Sequence, residues 1–120
     1  MLLAGCFYVE PGWEPPVNQP PAITLPRSAD QTQQLKIVTE ATTLIVAAYD
    51  PDDEIVGFLW EVPHGVEHEI HEWQNPNGDY VSRLTVSRDE ALDGEHIRCT
   101  VSDQAKPRNT VEVEWLVEVL

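Results

Sequence analysis

Residues 110–119 alternate between apolar and acidic side chains, and this alternation most constrains the fold of the chain. Five apolar residues occupy every second position: Val111, Val113, Trp115, Val117 and Val119. Three glutamates stand between them: Glu112, Glu114 and Glu118. A period of two places the valines on one face and the glutamates on the other, which predicts a β-strand with one buried face.

Seven further segments carry the signature of short strands. The eight predicted strands are 22–25, 35–39, 42–49, 55–62, 66–73, 79–87, 95–102 and 110–119. The turn-forming sequences Asp50-Pro51-Asp52-Asp53, Asn75-Pro76-Asn77-Gly78 and Asp93-Gly94 separate them. Only residues 87–92 favour a helical turn. Many short strands without a long helix predict an all-β sandwich formed by one domain over residues 22–120.

A proline-rich segment precedes this domain. Five prolines fall within residues 7–21: Pro11, Pro15, Pro16, Pro20 and Pro21. Because proline fixes φ and lacks an N–H group, neither a helix nor a central strand can form here. We expect an extended, polyproline-like tether over residues 7–21.

The tetrapeptide Leu3-Ala4-Gly5-Cys6 resembles the lipobox, at which bacterial lipoprotein signal peptides are cleaved. In that family the Cys becomes the N-terminus and carries acyl chains, so the resemblance implies lipidation of Cys6 and a membrane anchor. A signal peptide needs an apolar region of ~7–15 residues before the cut. We therefore interpret residues 1–6 as the remnant of one. Phe7 follows Cys6, which in that family favours delivery to the outer membrane.

The charge of the chain limits its partners. It has 21 acidic and 7 basic residues, for a formal net charge of −14. Such a surface repels phosphate groups and anionic lipids, so nucleic acid is not expected as a partner. Membrane contact should come from the lipid on Cys6 alone.

Three sequence blocks resemble immunoglobulin-like domains of the PKD and cadherin type. The blocks are 18–23, 49–62 with its Asp-Pro-Asp sequence followed by Trp60, and 84–101, in which Asp93 precedes Cys99 by six residues. The resemblance implies an immunoglobulin-like antiparallel β-sandwich with Trp60 packed on Cys99 in the core. At the position where the resemblance implies the second core cysteine, this sequence has Ala47. At the tyrosine-corner position it has Ile97. The inter-sheet disulfide is therefore expected to be absent.

Four aspartates are candidates for a calcium site. In such a sandwich Asp50, Asp52 and Asp53 lie in a loop at the same end as Asp103. Ca²⁺ takes about six to eight oxygen ligands, and the resemblance to cadherin-like domains implies calcium at domain junctions. The simpler interpretation, which we favour from the sequence, is that these aspartates stabilise turns by hydrogen bonds to the backbone. No other cofactor is indicated.

The segment 64–72 contains three histidines that suggest a second metal site. On a strand His64 and His68 share a face but stand ~13 Å apart, and His71 faces the other way. On a helix the three would converge, but Pro63 and Gly65 disfavour one. We favour a solvated edge strand whose charges discourage edge pairing. A zinc site is the lesser alternative.

Aromatic residues supply candidate interface positions. Trp73 and Tyr80 flank the 75–78 loop and suggest a platform for a glycan or a protein, which Trp13 could join. Strand parity places Trp60 and Trp115 inward, so Trp73 and Trp13 are the better surface candidates.

The sequence has no phosphate-binding glycine loop and no nucleophile-elbow motif, so we expect no enzyme. The acidic setting of Cys99 also argues against a nucleophilic thiol. We expect a lipid-anchored binding or structural module of a bacterial cell envelope that contacts another envelope protein. A calcium- or glycan-binding adhesion module is the alternative, and a metal-dependent enzyme using His64–His71 is the lesser one.

Overall fold

The computed structural model describes residues 18–105 and 108–120, which form two packed four-stranded sheets. The strands are β1 (Ala22–Leu25), β2 (Gln33–Ile37), β3 (Ala41–Tyr49), β4 (Gly57–Glu61), β5 (His68–Gln74), β6 (Tyr80–Ser87), β7 (His96–Ser102) and β8 (Thr110–Val119). The helical structure in the described part of the chain is a single 3₁₀ turn at Glu90–Leu92. The side chain of Asp89 caps this turn by accepting a hydrogen bond from the Ala91 N–H. The eight predicted strands and the predicted helical turn are all present.

The first sheet has the strand order β1-β3-β6-β5 and the second has the order β2-β8-β7-β4. All neighbours are antiparallel except β2 and β8, which run parallel from the Gln33–Trp115 pair to the Ile37–Val119 pair. The chain reaches β2 by crossing from β1 in the other sheet. Because no hairpin joins β2 to β8, their directions are not forced to oppose each other.

The core lies between the sheets and is built by the inward positions that the alternation predicts. Ile97, Cys99 and Val101 of β7 are fully buried, and Val113, Trp115 and Val117 of β8 are buried beside them. Trp60 lies opposite Cys99 in the register of β4 and β7. The Trp60 indole stacks on that of Trp115, with 5.5 Å between ring centroids. Both tryptophans are therefore inward, as predicted.

Strand β3 explains why the inter-sheet disulfide is missing. Its core-facing residues lie one position away from the one that the sequence resemblance implied. The core-facing residues of this strand are Leu44, Val46 and Ala48, whereas Ala47 is buried but lies outside the core cluster. None of them is a cysteine, and Cys99 is a free, buried thiol. Because neighbouring strand residues face opposite ways, an alignment displaced by one position reverses the face.

Strand β5 is the free edge of the first sheet. Each of its seven residues is exposed, in agreement with the solvated edge strand that the His- and Glu-rich sequence predicts. The opposite edge strand, β1, is short and has an irregular register between Ile23 and Leu25.

Candidate functional site

Three acidic residues from two loops converge at one end of the sandwich. Asp50 and Glu54 lie in the loop that joins β3 to β4, and Asp103 follows β7. One carboxylate oxygen of each lies within 4.8 Å of those of the other two. The fold brings these loops together because β4 and β7 are paired neighbours in the second sheet.

Asp50 is held by the turn that it forms. Its Oδ1 accepts a hydrogen bond of 2.7 Å from the Asp52 N–H, and its carbonyl accepts one of 3.0 Å from the Asp53 N–H. Asp53 adopts a left-handed conformation, with φ of 61°. The Asp50 residue is 5% exposed, and its Oδ2 is buried without a hydrogen-bond partner. A buried carboxylate oxygen without a donor is unfavourable, which makes it an open position for a cation.

Asp103 is 1% exposed and is fully hydrogen-bonded. Its Oδ1 accepts from the Ala105 and Asn109 N–H groups at 3.0 Å each. Its Oδ2 accepts from Asn18 Nδ2 at 2.8 Å and from Asn109 Nδ2 at 3.0 Å. Burial acts to raise the pKa of Asp103, but these hydrogen bonds outweigh it and the pKa is lowered. The carboxylate is therefore ionised at neutral pH.

Glu54 completes the group from the rim. Its Oε1 accepts a hydrogen bond of 3.1 Å from the Gln104 N–H. Its pKa is raised by burial, then by the negative charge of Asp103 and, less, of Asp50 and Asp52. Among the described residues, every salt bridge is formed by Arg98 or His96. Within residues 18–105 and 108–120, no basic side chain forms an ion pair with these three carboxylates.

The chain segment before β1 is bound to the same loops. Besides the bond from Asn18 to Asp103, the Gln19 N–H donates to Asp52 Oδ2 at 2.7 Å, and Pro21 is buried. The last four residues of the predicted tether, 18–21, are thus attached to the domain.

The donor set fits a hard divalent cation. Carboxylate oxygens are the ligands that Ca²⁺ and Mg²⁺ prefer, and the group holds no sulfur or imidazole. Two of the four predicted ligands, Asp50 and Asp103, belong to this group. Asp52 and Asp53 lie outside it, because the first binds Gln19 and the second shapes the turn. Glu54 was not among the predicted residues, although its place four residues after Asp50 in an acidic loop is the signal that could have found it.

The histidines do not form such a group. His64 lies in the turn before β5, whereas His68 and His71 lie on β5. His68 pairs with Val86, a core residue, and His71 pairs with Arg83 on the outer face. The His68 imidazole contacts the Val66 carbonyl at 2.9 Å. The group of metal-ligating side chains that converges among the described residues is the carboxylate trio.

The two aromatic interface candidates of the described domain face opposite ways. Trp73 pairs with Val81, and Tyr80 pairs with Gln74, so the two rings project from opposite faces of the first sheet. Trp73 is 37% exposed, whereas Tyr80 is half-buried and packs against the core. One flat platform of Trp73 and Tyr80 is therefore not formed.

The remaining predicted positions differ in what the structure says of them. Cys6 and Trp13 lie outside the described residues. Burial, with a smaller contribution from the charge of Glu72, raises the pKa of the Cys99 thiol to about 12. Such a thiol is protonated and inert at neutral pH.

Neither a protein-family model nor a curated protein matches this sequence. Solved structures do match its fold. The Protocadherin Gamma C5 EC1-3 structure gives a TM-score of 0.60 at 16% identity, over 87% of this chain and 35% of that chain. The N-terminal eight Ig domains of Down Syndrome Cell Adhesion Molecule give a TM-score of 0.59 at 21% identity, over 85% of this chain and 14% of that chain. The fold is an immunoglobulin-like β-sandwich.

The strand order supports this assignment. Immunoglobulin-like domains place their strands A, B, E and D in one sheet, and β1, β3, β6 and β5 follow that order when β2, which lies in the second sheet, is counted as an extra strand between A and B. A third match is a nucleoside hydrolase-related hypothetical protein from Saccharophagus degradans that is associated with carbohydrate metabolism, with a TM-score of 0.59 and 16% identity over 86% of this chain and 26% of that chain. The chain spans about a third or less of these three proteins. At such identities the likeness establishes the immunoglobulin-like fold alone. The described residues contain no helix of the length and apolarity needed to cross a membrane.

Proposed function

We propose that this immunoglobulin-like domain is a non-catalytic binding or adhesion module. Its Ca²⁺ site lies at the end of the sandwich to which residues 18–21 are bound. The observation that carries the proposal is the buried Asp50 Oδ2, which has no hydrogen-bond partner in a group with Glu54 and Asp103. A cation there would supply the missing electrostatic partner and offset the mutual repulsion of three carboxylates.

Asp50, Glu54 and Asp103 would hold the ion. Asp50 offers the unpartnered Oδ2, and Glu54 offers Oε2 at the rim. Asp103 already accepts four hydrogen bonds, so it acts mainly through its charge. Since Ca²⁺ takes about six to eight oxygens, water or a neighbouring chain segment would complete the coordination.

The test is a thermal melt of the protein in chelator and in increasing CaCl₂. At a free Ca²⁺ concentration about 100 times the Kd, binding adds ~2.7 kcal/mol to the free energy of unfolding. For a domain of this size that raises the Tm by roughly 10 °C. The Asp50→Asn variant should lose this shift. Asp53→Asn is the matched control, because it makes the same charge change in the same loop but outside the group.

An unchanged Tm in both the wild-type protein and Asp53→Asn at ~10 mM CaCl₂ would reject the calcium site. If Asp50→Asn and Asp53→Asn lost the Ca²⁺-dependent rise in Tm equally, the stabilisation by Ca²⁺ would depend only on the total charge of the protein. MgCl₂ at the same concentration tests selectivity, since the smaller ion demands a stricter octahedral geometry.

We further propose that Cys6 anchors the module in a bacterial envelope, where it contacts another envelope protein as an accessory subunit. The sequence Leu3-Ala4-Gly5-Cys6 and the proline-rich segment after it support this part of the proposal. Metabolic labelling with a radioactive fatty acid should mark the wild-type protein and not Cys6→Ala. A variant that still enters the membrane fraction would contradict the anchor, and affinity purification after mild detergent extraction would identify the partner.

A further inference from the structure

Hydrogen bonds from the described residues take up every acceptor position of the Asp103 carboxylate. An ionised carboxylate has about four such positions, two on each oxygen. Oδ1 accepts from the Ala105 and Asn109 N–H groups at 3.0 Å each. Oδ2 accepts from Asn18 Nδ2 at 2.8 Å and from Asn109 Nδ2 at 3.0 Å. With all of these bonds in place Asp103 acts on a cation through its charge alone, and to become a ligand it must release a donor.

A cation in the carboxylate group favours that release. Ca²⁺ takes about six to eight oxygens, and the group offers carboxylate oxygens of Asp50, Glu54 and Asp103 that lie within 4.8 Å of one another. A separate observation points to a ligand here, because Asp50 is 5% exposed and its Oδ2 is buried without a hydrogen-bond partner. An ion bound to this oxygen therefore lies where it also competes for an oxygen of Asp103.

Of the donors to Asp103, Asn18 is the one that leaves most easily. The others belong to Ala105 and Asn109, which are two and six residues from Asp103, so their loss would open the connection between β7 and β8. Asn18 is 85 residues away in sequence and precedes β1, outside both sheets. Its amide hydrogens carry partial positive charge, which a cation beside Asp103 repels.

Residues 18–20 have few other attachments to the domain. In the part of the chain that the structure describes, the Gln19 N–H donates to Asp52 Oδ2 at 2.7 Å in an exposed hydrogen bond. Asn109 Nδ2 reaches the Asn18 carbonyl at 3.5 Å, which is long for a hydrogen bond. Once Asn18 Nδ2 has left its acceptor, one short and exposed bond holds this segment.

We propose that Ca²⁺ and the Asn18 amide compete for Asp103, so that filling the site releases residues 18–20 from the domain. This competition, which rests on the calcium site proposed above, regulates that site. Pro21 is buried and keeps the chain attached where β1 begins. Release of three residues adds about 10 Å of free chain at ~3.3 Å per residue, so Ca²⁺ lengthens the connection ahead of the sandwich. Because coupling between sites is reciprocal, the attached amide weakens Ca²⁺ binding by the factor by which Ca²⁺ weakens the attachment.

Calorimetric titration of the full chain with CaCl₂ tests this competition in the wild type and in Asn18→Ala. Removal of a competing donor should lower the Kd for Ca²⁺ about five- to tenfold, which is within the usual range of coupling between two sites. Gln19→Ala is the matched control, because it also removes an amide side chain from this segment but keeps the main-chain N–H that binds Asp52. Its Kd should stay within about twofold of the wild type. A cooperative melt of each variant in chelator establishes that it is folded.

Hydrogen exchange of the wild-type protein measures the release itself. The Gln19 N–H is protected by its bond to Asp52, and the two prolines after it have no N–H group, so this amide reports on the attachment. Saturating CaCl₂ should make it exchange about fivefold faster or more. Amides of β7 and β8 should exchange more slowly under the same conditions, because a bound ion stabilises the folded state.

Equal Ca²⁺ affinity of the wild type and Asn18→Ala would overturn the competition but not the calcium site. Weaker binding by Asn18→Ala would overturn it as well, since the Asn18 amide would then support the ion through its oxygen. Slower exchange of the Gln19 amide in Ca²⁺ would have the same meaning. Absence of Ca²⁺ binding to both proteins would reject the calcium site itself and the competition with it.

Discussion

Trp60 and Ser82 join the two sheets through a buried hydrogen bond of 2.8 Å, from the indole Nε1 to the hydroxyl oxygen. Trp60 lies on β4 of the second sheet and Ser82 on β6 of the first. The Ser82 hydroxyl in turn donates to Glu72 Oε2 at 3.0 Å. A polar chain thus runs from the tryptophan in the core to the edge strand β5, and the buried N–H and hydroxyl are both satisfied.

Ser82→Ala should destabilise the domain by about 1–3 kcal/mol, because it leaves the buried indole N–H without an acceptor. Urea unfolding followed by tryptophan fluorescence measures the change. Ser87→Ala, on the same strand but at its half-buried end, is the control and should change the midpoint little. Equal effects of the two substitutions would show that the inter-sheet bond contributes nothing.

Cys99 should be chemically silent in the folded protein. Its pKa is raised to about 12, so the thiolate that reacts with alkylating agents is almost absent at neutral pH. In a Cys6→Ser background, iodoacetamide should label Cys99 only at the rate at which the domain unfolds. Labelling at the rate of a free thiol under native conditions would contradict the burial of this side chain.

The same thiol makes stability depend on alkaline pH. Its folded pKa lies above the ordinary value of 9.0, so the unfolded chain loses its proton first as the pH rises. Stability is unaffected by this group below pH 9 and decreases from there toward pH 12. Cys99→Ala should lack this part of the alkaline loss, and urea midpoints of both proteins, compared pH by pH, measure the difference.

Glu114 should add stability that disappears in acid. Hydrogen bonds from His96 and Arg98 lower the pKa of its carboxyl from the ordinary 4.5. Because the folded pKa is depressed, the contribution is present above the unfolded value and lost as the pH falls through the folded one. Glu114→Gln should unfold at lower urea than the wild type at neutral pH, and the gap should close as the pH falls below the ordinary 4.5 and through the lowered pKa of the folded protein. Glu112→Gln, whose carboxylate is 3.7 Å from Arg98, is the control and should show a smaller gap.

Asp50→Asn should stabilise the protein in the absence of divalent cations. The amide keeps the Oδ1 acceptor that the Asp52 N–H uses, and it replaces the unpartnered Oδ2 by an NH₂ group that faces two carboxylates. Relief of an unsatisfied buried oxygen is worth about 1 kcal/mol. A melt in chelator measures it, and a lower Tm for Asp50→Asn than for the wild type would refute the electrostatic account of the site.

Local pattern was enough to predict most of the fold. Alternation placed Val113, Trp115 and Cys99 inward because strand parity is a property of neighbouring residues. The parallel pairing of β2 with β8 was not predictable in this way, since it depends on where the chain crosses between sheets. The proposed calcium site was predicted only in part, because local sequence pattern does not determine all of its members. Asp50 and Asp103 follow from the loop positions, but the inclusion of Glu54 and the exclusion of Asp53 depend on how the turn is closed.

The parallel pairing of β2 and β8 has a mechanical consequence. Tension that enters the chain ahead of β2 and leaves after β8 pulls the two strands in opposite directions along their length. Their five register pairs, from Gln33–Trp115 to Ile37–Val119, then bear the load together in shear rather than opening one at a time. A domain that is attached at one end and pulled at the other would therefore resist the force through the pairing of β2 with β8.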